Sequence, residues 1–503
     1  MNILFITADQ WRGECMSCVD HPVVKTPNLD ALATEGVLFR NHYAQAAPCA
    51  PSRTSLHTGM YMFNHRCVSN GTPVSSRLSN WALEVRKRGF DPSLFGYTDT
   101  ALDPTDLHPD DHRLWHYSEP LPGMGHYTPI RDEVSVDWVK YLEQKGYQIP
   151  ARWWDLYGNR KPGLPWHQGG DAPLPLAIEA HDHETRFMVD ECIEWISGQS
   201  KPWITHLSLL RPHPPFVAPE PYHALYKPGR LRAPYRHADR DQQAAQHPFL
   251  RYVLENSIHC WQGDDRQLEE AAASYYGLMT EVDDNLGRMF EFLIKVGAWN
   301  ETLIIFTSDH GEQLGDHWMT GKLGFYDQSY HVPLIIKDPM NNIDGDNRQI
   351  DLFTENVDLM PTLLDWLGME VPLQCDGRSL VPFLRGQSCT KQWRTEAHWE
   401  FDFRDIIQQR AEKSLGIPSN RCNLAVVRDE QFKYVHFAAL PPLLFNIEND
   451  PGELNNLAGL SEYKDTVLEF SHKLLSWRME HTERGLTDTL LTSSGPVVNR
   501  ASI

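Results

Sequence analysis

Apolar residues fall into two patterns along this chain. Some form short unbroken runs: residues 2–8, 203–210, 303–308 and 332–336. Runs of that length without alternation predict strands buried on both faces, as in a parallel sheet. Others recur at helical spacing. Leu268, Ala271, Tyr275, Leu278, Val282, Leu286, Met289 and Leu293 keep one face of a long amphipathic helix. Its carboxylates Glu281, Asp283 and Asp284 are expected on the solvated face, with no chemistry. Further helices are expected over residues 27–33 with Thr26 as cap, 53–60, 81–88, 184–196 and 357–367, with strands at 37–39 and 92–97.

Two stretches, about 101–170 and 218–265, carry no long period. They are rich in Pro, aromatic and His residues or in loop signals, and read as ordered insertions over the sheet. Near residue 385 the texture changes. Candidate strands at 394–403, 423–428, 432–437 and 443–447 follow one another without helices between them, and a closing helix is expected at 467–479. This predicts an α/β unit over 1–385 and a C-terminal unit over 386–503, built on a small antiparallel sheet.

Composition narrows the function. The chain has 503 residues and a net charge of −21. No basic run interrupts that charge, which argues against nucleic acid or an anionic membrane as partner. An acidic chain that handles an anionic substrate needs a locally positive pocket, which a metal ion with a few Lys, Arg and His can supply. Nine scattered cysteines do not resemble a disulfide framework, and Cys15-x-x-Cys18 reads as structural. No signal peptide or membrane span is recognised, so a cytoplasmic protein is expected.

The candidate chemistry centres on Pro48-Cys49-Ala50-Pro51-Ser52-Arg53-Thr54-Ser55-Leu56-His57-Thr58-Gly59. Pro51 suits a first helical turn, whose free N–H groups can hold an anion, and Arg53 adds a fork matched to sulfate or phosphate. The stretch reads either as a nucleophile beside an oxyanion site or as a buried structural Cys. Two of the apolar strands end alike, in Asp9-Gln10 and Asp309-His310. Each pair alone could be a plain turn. Together, at the carboxyl ends of strands, they would form a site for one divalent cation.

Cys49-Ala50-Pro51-Ser52-Arg53 with Thr58-Gly59 resembles the signature of the sulfatase family. The segments Asn64-His65-Arg66, Gly96-Tyr97-Thr98, Arg211 to Ala218, Ser308 to His317 and Lys433 to Pro442 are most similar to its phosphonate monoester hydrolase branch. The resemblance implies an alkaline-phosphatase-like α/β sandwich, with a large, mostly parallel sheet and a small C-terminal antiparallel sheet. It also implies that Cys49 is converted to formylglycine by a maturation enzyme. The hydrated aldehyde would attack a small anionic ester, and hemiacetal breakdown would expel the anion.

By the same resemblance, Asp9, Gln10, Asp309, His310 and the modified Cys49 hold one divalent ion. Calcium suits it best, with manganese and zinc open. Arg53 supports that cluster. Asn70, Tyr97 and Lys322 contact the anion, and His213, with Lys322, serves the leaving oxygen. His57 is either a support or a core histidine. The branch carries Thr where this chain has Asp99. Asp99 is expected to act as base in hemiacetal breakdown, to bind a hydroxyl or cationic part of the substrate, or to face away, with Thr98 or Thr100 in its place. A homo-oligomer, a tetramer or dimer, is implied. The other readings are a metal phosphodiesterase or phosphatase with an unmodified nucleophile, a carbohydrate- or choline-type sulfatase, and an inactive binding protein.

Overall fold

The computed structural model describes residues 1–130, 135–158, 175–229, 231–340, 348–387 and 393–498. An eight-stranded sheet forms its centre. Across the sheet the strands run Arg348–Ile350, Val37–Phe39, Leu334–Lys337, Thr302–Thr307, Asn2–Ala8, Ile204–Leu209, Ser93–Gly96 and His126–Pro129. All neighbours are parallel except Leu334–Lys337, which is antiparallel to both of its own.

The unbroken apolar runs have the expected cause. Leu4, Ile6, Ile304 and Phe306 point into one core, with the helices Pro27–Glu35, Glu184–Ser197 and Asp265–Lys295. Ile3, Phe5, Leu303 and Ile305 point into another, with Leu56, Trp81, Val85 and the helix Leu359–Trp366. Both faces of the strands are therefore dry, as in a helix–sheet–helix sandwich.

The C-terminal sheet has the order Leu443–Asn446, Phe432–Phe437, Asn423–Arg428, Ala397–Asp402, Ala46–Ala47. Its first four strands are antiparallel, as their lack of helical connections suggested. The fifth, just before Cys49, is parallel and comes from the N-terminal part of the chain. The helix Lys464–Glu480 packs on this sheet through Phe470, Leu474 and Trp477.

Several expectations need correction. The helix Asp265–Lys295 is buried nearly all round, so Glu281 and Asp283 do not face solvent; both are 0% exposed. Asp283 accepts from the backbone N–H of Asn28 and Leu29 and so caps the helix Pro27–Glu35, whereas Thr26 makes no cap hydrogen bond. Only Asp284 lies outside the packed face. The stretch 101–170 adds the edge strand His126–Pro129 and the helix Val136–Gln144, with residues 131–134 and 159–170 outside the described set. The stretch 218–265 holds two helices, Arg240–Ala245 and Pro248–Asn256, too short for a periodic signal to stand out. The helix expected from Arg53 begins four residues earlier and spans Cys49–Thr58.

Candidate active site

The first strand and Thr302–Thr307 lie side by side in parallel register, Thr7 opposite Thr307. Both chains leave the sheet at the same edge, which puts Asp9 and Asp309 together. Gln10 takes a left-handed turn (φ 69°), and its N–H donates to Asp309 Oδ1 at 3.1 Å. The helix Cys49–Thr58 points its N-terminus at this edge, and its Ser52 hydroxyl donates to the Asp309 carbonyl. Asn70 Oδ1 accepts from the N–H of Ala50 at 3.0 Å and so supports the first turn.

Arg53 is the hub. It is 1% exposed. Nε donates to Asp309 Oδ2 at 2.9 Å, Nη2 to Asp9 Oδ2 at 3.0 Å, and Nη1 to Ser208 Oγ at 2.8 Å and the Tyr97 carbonyl at 3.0 Å. Its guanidinium lies 4.2 Å from the centre of the Tyr97 ring. The Tyr97 hydroxyl donates to Asp9 Oδ2. His310 places Nε2 3.2 Å from Cys49 Sγ, while its Nδ1 meets the Gly311 carbonyl at 3.1 Å. That contact puts the proton on Nδ1 and turns the Nε2 lone pair toward the cluster.

Ligand atoms of Asp9, Cys49, Asp309 and His310 all lie within 4.8 Å of one another. Asp9 Oδ1 is buried yet has no hydrogen-bond partner, which is costly for a carboxylate oxygen. Burial opposes ionisation of Asp9, but the positive groups around it, Lys322 and Arg53 among them, hold it well below the usual carboxylate range. Burial and the Asp9 charge push Asp309 up to about 7 against the pull of Arg53. Burial pushes His310 down to about 3, with Lys322 adding to it, so its imidazole is neutral. Two carboxylates, one with an unpartnered oxygen, and an imidazole lone pair fit a divalent cation. Gln10 sits at the rim of this set; its Oε1 accepts from Lys322 Nζ at 2.6 Å and its Nε2 donates to Glu312.

Asp9, Gln10, Cys49, Asn70, Tyr97, Asp99, His213 and Lys322 line one pocket of about 260 Å³. Burial disfavours the Lys322 ammonium, but the surrounding anionic groups more than offset it, so the lysine stays charged. His213 Nδ1 donates to the Pro214 carbonyl at 2.7 Å, which leaves Nε2 as its acceptor. Burial and Lys322 keep this imidazole neutral. Asp99 adopts φ 53°, and its carboxylate lies 3.9 Å from Arg53 Nε. Asp99 lines the pocket; Thr98 and Thr100 do not, and their hydroxyls pair with each other at 3.1 Å. His57 does not reach the cluster. It accepts from Trp81 Nε1 at 3.0 Å and packs against His206, as a core histidine does. Burial pushes the Cys49 thiol well up, with Asp9 adding to it, so the sulfur is no thiolate here.

Sequence reasoning passed over several residues of the site. Ser208 and Glu312 hold Arg53 and Gln10. Buried Arg211 donates to Glu184 and to the carbonyls of His213 and Pro215, so it shapes the loop that carries His213. Tyr157 OH donates to Glu184 at 2.9 Å, and His183 lies 2.9 Å from it. Tyr117, Ile258 and His259 also line the pocket. Glu312 and Arg211 lay inside segments already singled out; the others carry no local signal.

Comparison with known proteins decides the family. The sulfatase profile matches residues 1–369, most of the chain. The chain belongs to the sulfatase family. A profile described as the C-terminal part of N-sulphoglucosamine sulphohydrolase matches residues 315–480. The multifunctional alkaline phosphatase superfamily protein PehA of Trinickia caryophylli is 41% identical over 97% of this chain and 96% of that protein. An arylsulfatase of Clostridium perfringens is 30% identical over 97% and 96%. Among solved structures, the phosphonate monoester hydrolase of Agrobacterium radiobacter aligns with a TM-score of 0.93 and 45% identity, covering 99% of each chain. Family membership makes this chain a hydrolase and its sandwich the alkaline-phosphatase-like fold that its motifs implied.

Proposed function

We propose that the chain hydrolyses sulfate monoesters, phosphonate monoesters and phosphodiesters, using formylglycine derived from Cys49 and one divalent metal ion. The observation that carries this reading is Cys49 itself. It stands on a helix N-terminus beside the unpartnered Asp9 oxygen, and its Sγ lies within 4.8 Å of the ligand atoms of Asp9, Asp309 and His310. As the aldehyde hydrate it would supply two hydroxyls on one carbon, one for attack and one for expulsion of the anion. Asp9, Asp309, His310 and Gln10 would hold the metal, which neutralises the anion and activates the attacking oxygen.

The chain's own residues do the rest. Lys322 and the side-chain amide of Asn70 bind and orient the non-bridging oxygens. Arg53 keeps both carboxylates in place. His213 and charged Lys322 serve the leaving oxygen, Lys322 supplying the proton that Nε2 of the neutral His213 lacks. Asp99 accepts the proton released when the bound anion is expelled. Calcium is the proposed metal, since most donors are oxygens. A maturation enzyme that oxidises Cys49 is the implied partner. Exposed Leu486, Leu490, Leu491 and Val497 near the C-terminus support a homo-oligomer. Eight free cysteines among the described residues support a reducing, cytoplasmic setting. No helix among the described residues is long and apolar enough to cross a membrane.

The test compares rates on sulfate monoesters, phosphonate monoesters and phosphodiesters that share one leaving group. Turnover of all three, lost with chelator and regained with calcium, is expected. Turnover of none of the three by the calcium-loaded, matured protein, with a phosphate monoester of the same leaving group hydrolysed instead, would defeat the reading.

A further inference from the structure

The active-site pocket does not end at its catalytic groups. Pro48, Asn70, Ile258, His259 and Leu323 also line a second cavity of about 610 Å³, so the two are continuous. The floor of this cavity includes Phe249, Phe401 and Phe403, which pack on one another at ring separations of 5.0 to 6.4 Å. At its lip stand Ile406 and Ile407, 67% and 91% exposed, and Ile258 at the junction is 57% exposed. Large aliphatic side chains gathered in the open beside a cavity mark a binding surface rather than random exposure. The charges along this trough are already paired. Arg404 Nε donates to Asp402 at 2.7 Å and Arg410 Nε to Asp405 at 2.6 Å. The trough therefore offers apolar contact and no net charge, next to a head-group site that is strongly polar.

We propose that this trough binds an extended uncharged arm, aryl or alkyl, of the ester whose anionic head sits beside Cys49 and Lys322. The proposal rests on the hydrolase reading for the position of the head group. The arm's class follows from the walls: aromatic floor, aliphatic lip, neutralised arginines. A compact hydrophilic arm such as a sugar would leave Ile406 and Ile407 in water and gain nothing there.

The probes are 4-alkylbenzenesulfonates, methyl through hexyl, which carry the anionic head but no ester bond. Binding to the full-length chain with calcium is measured by calorimetry. Affinity is expected to rise roughly two- to fourfold for each methylene that enters the trough. In the double variant Ile406→Asp, Ile407→Asp that rise is expected to flatten, read as the ratio of long-chain to short-chain affinity within one protein. Affinity independent of chain length in the parent overturns the proposal. So does an unchanged slope in the variant, including the case where its oligomeric mass shifts and the isoleucines prove to be a contact between copies. Failure to hydrolyse any matched ester, with the slope intact, defeats the hydrolase reading and leaves the subsite standing.

Discussion

Two arginines in this molecule each straddle a pair of buried carboxylates, and the two clusters differ in one respect. Arg394 lies between Asp358 and Glu355, where all four carboxylate oxygens are met. Asp358 accepts from both Arg394 Nη atoms and from the N–H of Glu355 and Arg378; Glu355 accepts from Tyr61 OH at 2.6 Å and from the N–H of His398 at 2.8 Å. Arg53 lies between Asp9 and Asp309, and there one oxygen, Asp9 Oδ1, is left over. A neutral imidazole and a protonated thiol stand beside it. The closed cluster joins the C-terminal sheet to the helix Leu359–Trp366 and needs nothing more. The open one has donors to spare, and that surplus makes it a place for a cation and for chemistry.

The sharpest way to break this contrast is at the nucleophile. Cys49→Ala is expected to lower turnover by at least about 10⁴-fold, with the denaturant midpoint nearly unchanged, since a small buried side chain is replaced by one slightly smaller. Arg394→Met should do the opposite. It strands two buried carboxylates and should cost about 3–5 kcal/mol of stability, while the folded fraction keeps its turnover number; urea unfolding and rates per folded protein separate the two.

A smaller effect tests the surplus oxygen. Saturating calcium should stabilise the chain by about 3 kcal/mol at a hundredfold excess over its dissociation constant, and Asp9→Asn should abolish the gain. An equal gain in Asp9→Asn would place the ion elsewhere. At the pocket wall, Asp99→Asn should slow steady-state turnover by about 10²-fold or more yet leave a fast first release of the leaving group. Stopped-flow measurement would show a burst, and unchanged steady-state turnover would remove Asp99 from the reaction.

A separate effect, on stability alone, concerns a third buried carboxylate outside both clusters. Burial raises Asp283 from 3.8 to about 7, despite its bonds from Asn28 and Leu29. Its contribution to stability is therefore complete below pH 4 and is lost as pH rises through 7. Asp283→Asn lacks that loss, so its denaturant midpoint should gain on the parent's between pH 4 and pH 7. A difference constant with pH would contradict the assignment.

Much of this arrangement was legible in the chain. Four unbroken apolar runs located the central strands, and Asp9-Gln10 and Asp309-His310 marked where two of them end side by side. The Cys49 motif located the helix, although its start was placed too late because Pro51 was taken as the first turn; the chain enters the helix at Cys49 itself, straight from the Ala46–Ala47 strand. What stayed hidden depends on neighbours distant in sequence. Glu281 and Asp283 look solvated when a helix is assumed to bury one face only, and this helix is packed on nearly every side. Arg211 and Glu184, the pair beneath His213, carry no periodic signal, since their partnership exists only after the sheet edge and the helix Glu184–Ser197 meet. Asp99 was visible as a departure from its branch, but its place on the pocket wall, 3.9 Å from Arg53, exists only once the chain has folded.

The central claim is that Cys49 is a precursor rather than a thiol nucleophile. Mass spectrometry of the Cys49 peptide, from protein made with its maturation enzyme, tests it when read beside the turnover of the same preparation. The account predicts a peptide lighter by about 18 Da, in a fraction that rises and falls with activity. Full turnover from chains whose Cys49 keeps its sulfur would contradict it.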